Sequence, residues 1–228
     1  MKKLLSFFSA GVVCAATLNN PVYAKELIPP PTYVYEYTGA DCYCIVTNLP
    51  PKLAVSYGPV DVTVRNHAGY MGINAGAWTE LGEMGLTYSD GIWYSSQKPY
   101  VGDTLILTQE GELKALGYDY VTVEMIEELN PRWAVTGYNA VIWDRVNHNF
   151  DWTDKHYRSF IGQLKNGDYF FGISKIKWSY EDMYNYAINT FGDQVVFMYN
   201  LDGGGSCGLY TCFKGYTEGR DVKSVIYF

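Results

Sequence analysis

The chain has 228 residues, 48% hydrophobic and 18% charged, which is enough apolar content for a buried core and too little charge for a disordered chain. A formal charge of −7 and a pI near 4.9 exclude broad electrostatic attraction to nucleic acid or an anionic membrane as the main activity. Aromatic residues reach 17%, including 22 tyrosines, a surplus that suits wettable binding surfaces as well as cores.

The predicted elements begin with a leader. Lys2 and Lys3 precede an apolar stretch from Leu4 to Leu18, and Val22-Tyr23-Ala24 forms a small-x-small site. Residues 1–24 therefore read as a secretory signal peptide cleaved after Ala24. No second long apolar run follows, so the expected product is secreted or held non-covalently at the cell surface, without stable membrane insertion. Four cysteines lie beyond the leader: Cys42, Cys44, Cys207 and Cys212. In an exported chain they predict two disulfides. Cys42 and Cys44 share a strand face and would strain a mutual bond, so each is expected to pair with a distal cysteine. His67, His148 and His156 have no metal-ligand spacing to these thiols, and no metal is expected.

Residues 25–40, with Pro29-Pro30-Pro31, read as an extended lead-in and not as a packed element. Residues 41–228 read as one α+β domain, mostly β with a few helices. Leu53–Tyr57, Val60–Val64, Thr104–Thr108 and Ala140–Trp143 are predicted strands. Val121–Leu129 is a short surface helix that stops before Asn130-Pro131. A stronger helix starts at Ser179, a good N-cap, with Glu181 and Asp182 in its first turn. Met183, Ala187 and Phe191 form its apolar stripe, and Gly192 ends it. Val195–Tyr199 then reads as a buried strand that runs into a glycine-rich loop.

That loop, Asn200-Leu201-Asp202-Gly203-Gly204-Gly205-Ser206, is the most informative segment. Three successive glycines are costly in backbone entropy. They fit a backbone that must approach a ligand, or amides that converge on an anion. They equally fit a tight turn capped by Asp202. Gly204-Gly205-Ser206-Cys207-Gly208 also matches a nucleophile elbow, but a strand pattern follows it and no histidine occurs after His156, so a serine hydrolase is excluded.

Two further segments complete a pattern: Ile73-Asn74-Ala75-Gly76-Ala77-Trp78, a strand into a small-residue turn, and Arg158-Ser159-Phe160-Ile161-Gly162, the start of a hairpin. In order and spacing the chain from about Asp41 resembles the phosphodiester glycosidase family. The first turn departs, with Ala75 for a glycine and Ala77-Trp78 for an aromatic pair, and Cys207 replaces a serine. Gly219-Arg220-Asp221 with Val225-Ile226-Tyr227 is similar to the family's closing strand.

The resemblance implies hydrolysis of a sugar 1-phosphodiester, with N-acetylglucosamine as one candidate sugar and envelope or extracellular glycans as the source. A phosphate ester leaves with little protonation, because its second pKa is about 6. A cation can then replace the general acid of ordinary glycosidases. Asp202 is the expected base or nucleophile and Arg158 the phosphate clamp. Asn74, Asn200, Gly203, Gly204, Gly205 and Ser206 are expected to bind substrate, with no cofactor. Other roles stand beside these: a surface ion pair for Arg158, a turn for Asn74, and an exposed loop acid or a second carboxylate for Glu80. Trp78, Trp93 and Tyr94 could stack on sugars or pack in the core. A non-catalytic glycan-binding protein on the same scaffold is the alternative function, favoured by the altered first turn.

Overall fold

The computed structural model describes residues 2–5, 33–80, 82–98, 102–143, 153–213, 215 and 219–228. Its strands form antiparallel sheets. The largest runs in the order Lys2–Leu5, Val34–Thr38, Cys42–Thr47, Tyr169–Ser174, Ser159–Leu164, Val195–Asn200, Asn139–Ile142. A five-stranded sheet is ordered Leu113–Leu116, Thr104–Leu107, Trp133–Thr136, Leu86–Ser89, Ile92–Ser96. A four-stranded sheet is ordered Leu209–Thr211, Met71–Asn74, Val222–Tyr227, Lys52–Gly58. Trp78–Thr79 and Gly82–Glu83 make a short ribbon.

The large sheet is buried on both faces, and its strands show why. Along Cys42–Thr47, Tyr43 and Ile45 join a core shared with Met71, Ile73, Leu105 and Trp133 of the other sheets. The alternate residues Cys42, Cys44 and Val46 enter a second core. That second core is closed by a helix, so continuous apolar runs are tolerated on these strands.

Helix α1 spans Val60–Asn66, α2 spans Val123–Leu129 and α3 spans Tyr180–Phe191. Helix α3 is the one that covers the large sheet, through Met183 and Ala187. Its capping box joins Ser179 and Asp182, and Gly192 ends it at φ 63°. Helix α2 starts at the Thr122 cap and closes on a left-handed Asn130.

Three expectations are corrected. Val60–Val64 is a helix and not a strand. Its alternating valines suit either period, but Pro59 and Asp61 open a helix and Arg65 pairs with Asp61 one turn on. Val60, Thr63 and Val64 are then buried and Val62 is left exposed. The lead-in is packed from Val34 onward, since Val34–Thr38 is a sheet strand with Val34 and Glu36 buried. The rest of the lead-in and most of the expected leader lie outside the described residues; within the leader, Lys2–Leu5 pairs with Val34–Thr38. Finally, Cys42, Cys44, Cys207 and Cys212 are all free thiols. Cys42 and Cys44 face the core under α3, whereas Cys207 lies in the core between the sheets, so sheet separates them.

The hairpin of Ser159–Leu164 and Tyr169–Ser174 explains the glycine that closes the Arg158 motif. A Cβ on Gly162 would stand 2.1 Å from the Phe170 ring and 2.4 Å from the Phe197 carbonyl. The ring occupies the space that any side chain would need.

Candidate active site

The glycine loop leaves the Val195–Asn200 strand and is fixed from several elements at once. Leu201 N–H donates to the Ser159 carbonyl (2.8 Å) and Asp202 N–H to the Ala75 carbonyl (3.0 Å). Asn74, wholly buried, ties these segments together. Its Nδ2 donates to the Asp202 carbonyl (2.7 Å), and its Oδ1 accepts from Ser159 Oγ (2.7 Å) and Gly208 N–H (3.0 Å). With both ends bonded inside the fold, Asn74 acts as a tether between three chain segments.

The glycines serve close approach. A Cβ on Gly203 would meet the Tyr157 carbonyl at 2.7 Å, and Gly204 lies at φ 60°. The Gly203 N–H donates to Asp202 Oδ1 (3.0 Å), and the Gly204 N–H to the Tyr157 carbonyl (2.9 Å). These two amides are engaged internally and do not converge on an open anion site. Gly205 faces open space.

Asp202 is buried, and burial holds its carboxyl up to about 6 against the lowering effects of Ser206, Arg220 and the Gly203 amide. Its Oδ2 is closed from water and has no hydrogen-bond partner among the described residues. Arg220 Nε donates to Ser206 Oγ (3.2 Å), and its guanidinium lies 4.5 Å from the Trp78 ring centre. Ser206, fully buried, thus orients Arg220 beside Asp202. Asn200 is also buried: its Nδ2 donates to Tyr180 Oη (3.3 Å), while its Oδ1 has no partner among the described residues.

Arg158 is not a surface ion-pair residue. It is buried, and among the described residues no carboxylate pairs with it. Its Nε donates to the Trp178 carbonyl (3.0 Å), its Nη2 to the Asp154 carbonyl (2.7 Å), and its guanidinium lies 4.3 Å from the Tyr180 ring centre. The Tyr138 hydroxyl feels Asp202, Tyr180, Arg158 and Arg220. Burial raises its pKa first, Asp202 and Tyr180 add to that, and Arg158 and Arg220 oppose it. The Cys207 thiol, pushed up to about 11 mainly by burial, also feels both Asp202 and Arg158. Asp202, Arg158 and Arg220 therefore all act on Tyr138, and of the two arginines it is Arg220 that acts on Asp202 directly.

A cleft of about 530 Å³ opens beside the loop, lined by His156, Tyr157, Lys177, Gly204, Gly205 and Cys207 among others, with no acidic residue in its wall among the described residues. A second cleft, of about 390 Å³, is lined by Lys52, Asp90, Arg132 and Trp133. It lies at the opposite end of the Trp133–Thr136 strand from the Asp202 region, which Thr136 approaches through its bond from Ala77 N–H.

Sequence reasoning missed two charged groups. Arg220 was visible only as part of a closing-strand resemblance. Glu83, in the short ribbon, is the carboxylate that couples to Asp202. Glu80, the second carboxylate considered from sequence, is exposed. Nothing in Gly82-Glu83-Met84-Gly85 distinguishes Glu83 from an ordinary turn acid.

Comparison with known proteins agrees with this architecture. The phosphodiester glycosidase family model matches residues 60–228, and the chain belongs to that family. Among solved structures it resembles the zebrafish N-acetylglucosamine-1-phosphodiester alpha-N-acetylglucosaminidase catalytic domain, auto-inhibited by its pro-peptide. The TM-score is 0.62 at 14% identity, covering 86% of this chain and 77% of the other. It also resembles a hypothetical protein from Synechocystis, with TM-score 0.59 at 12% identity, covering 87% of this chain and 63% of that one. No curated protein sequence matches it.

Proposed function

We propose that the protein is an exported hydrolase that cleaves the glycosidic bond of a sugar 1-phosphodiester in envelope or extracellular glycans, with N-acetylglucosamine as the candidate sugar. The observation that carries this reading is the placing of Asp202 and two arginines around Tyr138, near a cleft with no acidic residue among its described lining, in a chain of net charge −7. The cleft and the Arg158 side of the loop suit the phosphate, and Asp202 suits the sugar carbon. Attack by water or by Asp202 at that carbon breaks its bond to oxygen. The electron pair leaves with the phosphate oxygen, whose developing charge Arg158 and Arg220 stabilise. Water supplies the new sugar hydroxyl, and the products are free sugar and a phosphomonoester. A base poised near 6 is well placed for this at neutral pH.

The test is incubation with UDP-N-acetylglucosamine and with a simple sugar 1-phosphodiester, assayed for free sugar. Wild type should release it, and Asp202→Asn should lose about 10²–10⁴-fold in kcat. Binding of the diester by wild type without any release would favour the glycan-binding alternative.

A further inference from the structure

Buried polar atoms without partners are rare in folded proteins, and here they gather. Trp78 Nε1, both carboxyl oxygens of Glu83, Asn200 Oδ1 and Asp202 Oδ2 are closed from water with no hydrogen-bond partner among the described residues. Trp78 and Glu83 face each other across the short ribbon, and Arg220 stacks on Trp78 while acting on Asp202. One Glu83 oxygen lies 3.0 Å from the position of a Cβ on Gly76. A carboxylate enclosed in this way is costly unless it carries a proton.

We infer that Glu83 is a positioning residue of the Asp202 site, a proton-holding carboxyl whose ionisation would weaken the site's hold on an anionic substrate. The inference rests on the glycosidase reading above. With Glu83 neutral, Asp202 contributes one negative charge, and Arg158, Arg220 and Lys223 contribute three positive ones. Ionised Glu83 would halve the remaining positive charge and engage Lys223. The groups facing Glu83 are Asp202, Lys223 and Ser224, with Arg220 beyond Asp202. Burial and Asp202 raise its pKa, Ser224 and Lys223 lower it, and burial dominates, holding Glu83 up to about 7, above Asp202 at about 6. The two carboxyls titrate as a coupled pair, which holds one proton over part of the range near neutrality.

The experiment measures KM against pH for wild type and Glu83→Gln, using a sugar 1-phosphodiester and an uncharged nitrophenyl glycoside of the same sugar. Wild-type KM for the diester should rise roughly tenfold between pH 6 and pH 8.5, with little change for the uncharged glycoside. Glu83→Gln should keep a low, pH-independent KM for the diester. The same rise in Glu83→Gln, or an equal rise for both substrates, overturns the inference. Carbon-13 NMR titration of the side-chain carboxyls gives a readout that does not need turnover. Glu83 should titrate near neutrality and move down in Asp202→Asn, and titration in the ordinary glutamate range overturns the inference. If wild type hydrolyses neither substrate, the glycosidase reading fails, and the NMR titration alone decides whether the proton-holding pair exists.

Discussion

Replacing Asp202 by asparagine should stabilise the protein, and only above a certain pH. In the unfolded chain the aspartate ionises near its ordinary value of 3.8, whereas in the fold burial holds it up to about 6. Between those values the unfolded chain has released a proton that the native state keeps. Native stability therefore falls as pH rises through this window, and the full penalty is present above 6. A shift of about two units corresponds to about 3 kcal/mol. Asparagine carries no charge and can still accept the Gly203 N–H through Oδ1, so it escapes the penalty. For a domain of this size that amounts to roughly 6–12 °C in Tm at pH 7.5, shrinking to nothing at pH 3.5. Urea denaturation of wild type and Asp202→Asn at several pH values between 3.5 and 8 measures the difference directly. A gap that is independent of pH, or a variant less stable than wild type at pH 7.5, would refute the reasoning. The expected gain in stability accompanies a loss of catalysis, as is usual when a site is built from strained or desolvated groups.

Arg158→Lys keeps charge but loses the planar fork, so it should weaken turnover of the phosphodiester while leaving a nitrophenyl glycoside close to wild type; equal losses on both substrates would remove its assignment to phosphate. Asn74→Ala breaks three buried hydrogen bonds and should cost about 2–4 kcal/mol, seen as a lower urea midpoint, with Asp202 activity lost along with loop order. Gly162→Ala forces a methyl into the Phe170 ring and should destabilise by at least 1–3 kcal/mol, roughly the usual range for overpacking. In native protein, thiol titration should find rapid reaction at the exposed Cys212 and slow reaction at the buried Cys42, Cys44 and Cys207, all four reacting after denaturation without reductant.

The parts of the fold legible in the sequence are those with a single local explanation. Ser179, Asp182 and Gly192 mark the ends of α3 by capping chemistry that needs no tertiary partner, and the apolar run before Asn200 admits only a buried strand. Val60–Val64 was not legible, because three valines at alternate positions fit both periods and the decision falls to Pro59, Asp61 and Arg65. At the candidate site, the glycine loop and Arg158 stand out in the sequence because glycine runs and arginine-led hairpins are unusual. Glu83 was missed because its importance is a matter of enclosure. An acid between glycines carries no sign of burial until Asp202, Ser224 and Lys223, more than a hundred residues away in sequence, are folded around it. The cysteines misled for the opposite reason: their number and the leader pointed to oxidation, while the sheet places Cys44 and Cys207 in different cores.

The Val222–Tyr227 strand lies inside the four-stranded sheet, between Met71–Asn74 and Lys52–Gly58, and Arg220 and Lys223 belong to the same stretch of chain. Until this strand docks, Ala75 lacks the Ser224 carbonyl that receives its N–H, Asp202 lacks Arg220, and Glu83 has neither Ser224 nor Lys223 beside it. These contacts are long-range in sequence, so the candidate site is assembled late in folding. One β-strand thus completes both the hydrogen bonding and the charge pattern around the two carboxylates.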